Sequence, residues 1–166
     1  MTTALVKTGP HSLITQGGII QLVTFELGSE EYGVDVLSVR EIIRMTTITA
    51  MPNAPEYVEG VINLRGTVVP ILSLGQRFYL PSHERDSHSR ILVMELPTGK
   101  LVGFVVDGVA EVIRVAAESI QPPPDVALQQ GAQECIVGIL QRDERLLIVL
   151  DLGRLFENHL LPEHVV

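Results

Sequence analysis

Residues Tyr32 to Arg44 read YGVDVLSVREIIR, and 70 residues further on Val102 to Arg114 read VGFVVDGVAEVIR. Gly33 lies over Gly103, Val39 over Val109, Glu41 over Glu111 and Arg44 over Arg114. A second correspondence follows at an offset of 78. Gly60 to Phe78 reads GVINLRGTVVPILSLGQRF, and Gly138 to Phe156 reads GILQRDERLLIVLDLGRLF. Here Gly60 lies over Gly138, Leu72 over Leu150, Gly75 over Gly153 and Phe78 over Phe156. Pro52 and Pro55 precede this block in the first copy, as Pro122 to Pro124 do in the second. Two blocks recurring in the same order with matched glycines read as an internal duplication of one β unit. The second copy carries about eight extra residues near Gln129 to Glu134.

The apolar segments around these blocks are short and rich in β-branched residues. Strands are expected at Ile19 to Leu27, Tyr32 to Val36, Val39 to Arg44, Thr67 to Leu72, Arg90 to Leu96, Leu101 to Val106, Val109 to Val115, Ile136 to Gln141 and Arg145 to Leu150. Gly28-Ser29, Pro97-Thr98-Gly99, Gly108 and Arg142-Asp143-Glu144 punctuate them as turns. Many short strands with frequent turns predict an all-β fold with few short helices. One short helix is expected from Asn53 or Ala54 to Val58, with Pro55 in its first turn, and another from Asp151 to His159. Pro81 to Ser89 is polar and reads as a linker. The expected layout is a flexible arm over residues 1–18, a folded body over 19–157 and a tail over 158–166. Within the body, repeat units at about 21–80 and 90–156 would form two packed β-barrels. Their joint would be a natural binding groove.

Composition narrows the function classes. Lys plus Arg is 12 against 20 for Asp plus Glu, a net charge of −8, so a nucleic-acid surface is disfavoured. A hydrophobic fraction of 46% supports a packed core and argues against a disordered chain. No run reaches the 18 or so apolar residues of a membrane span, and the N-terminus has no signal-peptide core, which makes a cytoplasmic location the default expectation. The single cysteine, Cys135, excludes an internal disulfide and reads as a buried, inert thiol. The histidines fall at 11, 83, 88, 159 and 164, in the arm, linker and tail. None stands beside a nucleophile or at a metal-ligand spacing inside the β body. No phosphate-binding glycine loop is present. No catalytic residue, metal site or cofactor is therefore expected. An enzyme is the weaker class.

Two motifs remain, Val39-Arg40-Glu41-Ile42-Ile43 and Asn63-Leu64-Arg65-Gly66, each embedding a charge in apolar surroundings. Such charges are tolerated when paired, and a guanidinium can meet a carboxylate with two hydrogen bonds. Glu41 and Arg65 are expected to face each other as an ion pair; the alternative is that each points to solvent from its own strand.

The chain resembles the CheW chemotaxis coupling proteins. The resemblance rests on FELGSEEYGVDVLSVREII (Phe25 to Ile43), PNAPEYVEGVINLRGTVVPILSL (Pro52 to Leu74), RILVMELPTGKLVGFVVDGVAEVI (Arg90 to Ile113) and LLIVLDL (Leu146 to Leu152), in that order. It implies two five-stranded SH3-like barrels packed together. It also implies a non-enzymatic adaptor between chemoreceptor cytoplasmic tips and the regulatory domain of the histidine kinase CheA. Such an adaptor would be monomeric when free, cytoplasmic, and recruited to membrane-associated receptor arrays without entering the membrane. By motif position, the family's apolar kinase-facing surface falls on Val23, Val36 and Val39. Its receptor-facing groove falls on Gly60, Arg65, Gly103 and Val112. Read from spacing alone, Val36 and Val39 face opposite ways on a regular strand, and a bulge at Leu37-Ser38 would turn both outward. Gly60 and Gly103 could equally serve turns or close packing. The chain departs from the family at Ser73 and Gly75, where an acidic residue and an arginine are common. Other readings are an adaptor for a related pathway driving surface motility or another output, and a double barrel that binds a small ligand in its groove.

Overall fold

A computed structural model describes residues 18–81, 84–124 and 135–154. The expected arm up to residue 17, the tail, the extra residues near 129–134 and most of the expected C-terminal helix lie outside the described residues.

The first half supplies β1 (Ile19–Leu27), β2 (Glu30–Asp35), β3 (Val39–Arg44), β4 (Val58–Leu64) and β5 (Thr67–Ser73), then the one-turn helix α1 (Leu74–Arg77). The second half supplies β6 (Arg90–Glu95), β7 (Leu101–Val106), β8 (Gly108–Ala116), β9 (Ile136–Arg142) and β10 (Arg145–Leu150). Every expected strand is present to within two residues at its ends. The expected helix before Val58 is not. Pro55 instead closes a turn whose carbonyl accepts the Val58 N–H at 2.9 Å, and Val58 opens β4. Asn63-Leu64-Arg65-Gly66 is therefore the tip of the β4–β5 hairpin.

The strands form two five-stranded sheets, ordered β8-β1-β2-β10-β9 and β3-β6-β7-β5-β4. Neither sheet belongs to one repeat. The first takes two strands from the first half and three from the second, and the other sheet does the reverse. The two repeat units do not each close their own barrel; they interlock. Advancing every strand of the second sheet by one repeat, β1 to β6 and so on, turns its order into that of the first. The registers agree residue by residue. Gly33 of β2 lies parallel against Val149 of β10, and its counterpart Gly103 of β7 lies parallel against Ile71 of β5. The bulge at Val58/Gly60 opposite Leu72 and Ile71 recurs at Ile136/Gly138 opposite Leu150 and Val149. Duplicated glycines thus sit where a neighbouring chain comes closest. A Cβ on Gly60 would stand 2.1 Å from the Thr49 carbonyl oxygen, and one on Gly138 2.5 Å from that of Gln121.

Three apolar clusters hold the fold. One fills the first sheet's barrel with Leu22, Ile113, Leu140 and Val149, and another fills the second with Ile62, Val69, Ile71 and Ile91. The largest lies between them and draws on both sheets, through Phe25, Tyr32, Leu92, Phe104 and Leu150. Phe25 stacks on Tyr32 with ring centroids 5.9 Å apart. The joint between the barrels is thus mostly packed core. What remains there is a cleft of ≈ 200 Å³ bordered by Gly28, Ser73, Gly75 and Asp107. Ser73 serves locally as the N-cap of α1, its hydroxyl accepting the Gln76 N–H at 3.2 Å.

Candidate functional site

β3 and β4 are the two outer strands of their sheet, and the barrel closes where they meet. One end of this seam is a single bridge beyond β3. Thr49 and Val61 exchange N–H···O bonds of 2.9 Å in both directions. The other end carries Glu41 on β3 and Arg65 at the β4–β5 hairpin tip. Arg65 Nη2 pairs with Glu41 Oε1, and Nη1 reaches Oε2 at 3.4 Å, a two-pronged contact. The hairpin itself is a two-residue loop with Arg65 at φ 50° and Gly66 at φ 91°. Asn63 Oδ1 fixes it by accepting the Gly66 N–H at 2.8 Å. The hydrogen bond from Arg65 to Glu41 and the carboxylate charge both hold the guanidinium above its ordinary value, so it stays charged at any physiological pH. The expected pair is present, and its position is that of a clasp across the barrel edge.

The other barrel repeats the arrangement. Gln121 and Ile139 form the single bridge, and Glu111 of β8 meets Arg142 Nη2 of β9 at 3.4 Å. Glu111 is the repeat counterpart of Glu41. The arginine has moved one position, since Asp143 occupies the place of Arg65 and Arg142 that of Leu64. This second clasp was not anticipated from the sequence.

The expected kinase-facing valines do not share one exposed surface. Val23 is 2% exposed and belongs to the core between the barrels. Its strand buries it because β1 is central in its sheet and carries an apolar side chain on each face there. Val36 and Val39 are half-buried and pack against that same cluster. No simple bulge lies at Leu37-Ser38. Val36–Ser38 instead forms a one-turn 3-10 helix, capped by Asp35 Oδ1, which accepts the Leu37 N–H at 3.0 Å. A bulge does follow, between Val39 and Glu41. The turn thrusts Leu37 outward at 88% exposure. Leu37, not Val23, is the apolar side chain that this corner exposes to solvent.

The expected receptor-facing residues separate similarly. Gly60 and Gly103 are buried, and neither can touch a partner directly. A Cβ on Gly103 would meet Ile71 Cδ1 at 2.6 Å and Ile91 Cγ2 at 2.8 Å, so close packing explains it. Arg65 and Val112 are exposed, but they lie on different sheets. The repeat offsets extend the exposed set: Val112 has Ile42 as its counterpart, and Val68 has Leu146. All four are at least 40% exposed. The duplication was the signal that could have found Ile42 once Val112 was named.

Among the described residues no three His, Cys, Asp or Glu side chains group as metal ligands, and no helix is long and apolar enough to cross a membrane. The Cys135 thiol is buried between the barrels, and burial pushes it up to about 12, with Asp151 adding to the rise and Arg77 opposing it. It is a neutral packing group at physiological pH.

Comparison with known proteins gives one family. Residues 21–159 match the family model described as the CheW-like domain. The chemotaxis protein CheW of Treponema pallidum is 40% identical over 142 residues, covering 83% of this chain and 82% of its own. That of Klebsiella aerogenes is 37% identical over 138 residues, with the same coverage of 83% and 82%. Among solved structures, the scaffolding protein TtCheW from Thermoanaerobacter tengcongensis superposes with a TM-score of 0.77 at 37% identity. That match covers 84% of this chain and 94% of the other.

Proposed function

The chain belongs to the CheW-like domain family, and from that premise we propose that it works as a non-enzymatic adaptor joining chemoreceptor tips to the regulatory domain of a CheA-type histidine kinase. The observation that carries this reading is the family match itself, which runs over residues 21–159. The adaptor acts by geometry. It holds receptor and kinase so that a change in one biases the other, which is coupling free energy and not bond chemistry. Its place of action is the cytoplasmic face of a receptor array. The kinase side is the corner at the Val36–Ser38 turn, where half-buried Val36 and Val39 support exposed Leu37. An apolar side chain projecting from a rigid turn suits the centre of a protein interface. The receptor side includes Arg65, whose guanidinium holds Glu41 and has donors to spare.

The test is reconstitution with a receptor signalling tip and the kinase. Wild-type chain should bind both and place kinase activity under receptor control. Leu37→Asp should weaken kinase binding by tenfold or more while receptor binding and the circular dichroism spectrum stay unchanged. A folded wild-type chain that binds neither partner, or that shifts its melting midpoint with a small metabolite instead, overturns the adaptor reading.

A further inference from the structure

Two strands leave the second sheet side by side at the joint between the barrels. β5 and β7 are parallel there, with Ser73 level with Val105, so α1 and Asp107 follow at the same end of the sheet. Together with the β1–β2 turn they border the cleft of ≈ 200 Å³. Gly75 opens it. Among the described residues a Cβ at Gly75 would meet only Ser73 Oγ, at 3.9 Å, so a larger side chain there would enter free space. Ser73 and Gly75 are also the two positions where the chain departs from its family. The second repeat copy is charged at the matching places. Asp151 stands where the first copy has Ser73, and Arg154 where it has Gln76. The two neutral groups have bonding capacity left over. Ser73 is 8% exposed, and its hydroxyl accepts the Gln76 N–H at 3.2 Å. Among the described residues the hydroxyl donates its own proton to no acceptor, and the Gln76 side-chain amide makes no hydrogen bond. A buried hydroxyl without an acceptor is costly unless a bound group supplies one. Arg85 borders the cleft as well, but both its Nη atoms are turned to the Glu59 carboxylate. Asp107 accepts the Gly28 N–H at 2.6 Å, and a carboxylate can accept several donors at once.

We propose that this cleft is a binding site for a small free α-amino acid with an aliphatic side chain. The ligand carboxylate accepts the Ser73 hydroxyl proton and a Gln76 amide N–H. Its ammonium joins the Gly28 N–H on the Asp107 carboxylate in a charge-assisted bond. Its side chain lies against Leu27, Leu80 and Val105. Size agrees. At roughly 30 Å³ per water, ≈ 200 Å³ is about seven waters' share, which suits alanine or valine and is too small for a drug-sized ligand. The arrangement selects for both ends of a zwitterion. A simple carboxylic acid would bring its charge beside Asp107, and a simple amine would leave the Ser73 proton unanswered. A ligand held this way ties the β1–β2 turn to α1 across the joint. The inference goes beyond the adaptor reading and does not depend on it.

L-valine should be titrated into the full chain and followed by amide NMR. Saturable shifts should appear at Gly28, Gly75 and Gln76 and not at the Glu41–Arg65 clasp. Isobutylamine, which lacks the carboxylate, and isovalerate, which lacks the ammonium, should each bind at least about tenfold more weakly. Ser73→Ala should weaken valine binding by about tenfold, but it also removes the cap of α1, so Gly75→Leu is the deciding variant. Gly75→Leu should abolish the shifts by filling the cleft while the melting midpoint holds, since a Cβ there meets no crowding. No saturable shift up to the solubility of valine overturns the inference. So does equal binding of isobutylamine or isovalerate, and so does unchanged valine affinity in folded Gly75→Leu. A cleft whose resonances move with a receptor tip or kinase domain and not with valine also overturns it, in favour of a partner side chain. Reconstitution with receptor and kinase reads the adaptor role separately, so either reading can fail without the other.

Discussion

Glu41 and Arg65 are partly open to water, with 29% and 70% of their side chains exposed, so screening leaves their attraction little to add to stability by itself. Their importance is positional, because they pin the free edge of β3 to the hairpin that ends β4. Glu41→Ala and Arg65→Ala should each lower the melting midpoint slightly, and the double variant should melt no lower than the worse single. Additive losses across the cycle would show that the two side chains act independently. A different balance governs Asp35, the cap of the 3-10 turn that presents Leu37. Burial raises its carboxyl above the ordinary 3.8, against the lowering effect of the Leu37 N–H. A carboxyl that holds its proton more tightly in the folded chain loses stability as pH rises from 3.8 through the folded value. Above that value the loss is constant. Asp35→Asn keeps an oxygen for the Leu37 N–H and has no charge to desolvate. Its melting midpoint at pH 7 should equal or exceed that of wild type, and a carboxyl titration of wild type by NMR should place Asp35 above 3.8. A midpoint well below wild type would mean that the ionised cap is worth more than its desolvation costs.

The two seam hairpins are built alike and furnished differently. Each has a two-residue loop with positive φ at both positions, the geometry that matches strand twist. Arg65-Gly66 supplies glycine at the second position, at φ 91°, whereas Asp143-Glu144 places a glutamate there at φ 80°. A side chain in that region costs roughly 1 kcal/mol that glycine does not. Glu144→Gly should therefore raise unfolding free energy by about that amount in chemical denaturation, and Gly66→Glu should lower it similarly. No gain in the first variant would show that Glu144 makes a compensating contact. These hairpins also mark where the sequence was readable. Runs of Val, Ile and Leu such as Leu101 to Val106 announce strands by composition, and their observed bounds agree. β4 escaped because Glu59 and Gly60 interrupt its apolar run and Pro55 mimics a helix start. The alternation Val58, Gly60, Ile62 does point inward, but Gly60 is there to admit the Thr49 backbone, a contact with residues outside its own strand. α1 is a single turn, too short to show a helical period.

At the scale of the molecule, the repeat announced two like units and left open whether each closes on itself. Pairing preferences inside one unit cannot answer that, because β1 bonds equally well to a β3 of its own unit or to the matching β8 of the other. The exchange explains why Val23 and Gly103 are core. Their strands are central, flanked on one side by a strand of the other half, and a surface assigned from motif position alone does not see those neighbours. Glu41 and Arg65 were legible because a charge among apolar residues needs a partner wherever the strands go. Interlocking also fixes how the halves part. Four of the eight strand pairings, β1 with β8, β2 with β10, β3 with β6 and β5 with β7, join one half to the other. The connecting residues 84–88 are exposed, and Arg85 pairs with Glu59. Cutting the chain within 81–89 should thus leave a single particle that melts in one transition. Cys135 reports on this directly, since it lies in the cluster shared by both barrels with its thiol pushed up to about 12. At pH 8 it should resist alkylation in the intact and in the cut protein alike, reacting only at the rate of global unfolding. The thiol ionises near 9.0 in the unfolded chain and near 12 in the folded one, so stability should fall as pH rises between those values. Halves that elute separately after cutting, or a Cys135 that alkylates rapidly once the linker is open, would mean that each repeat stands on its own core.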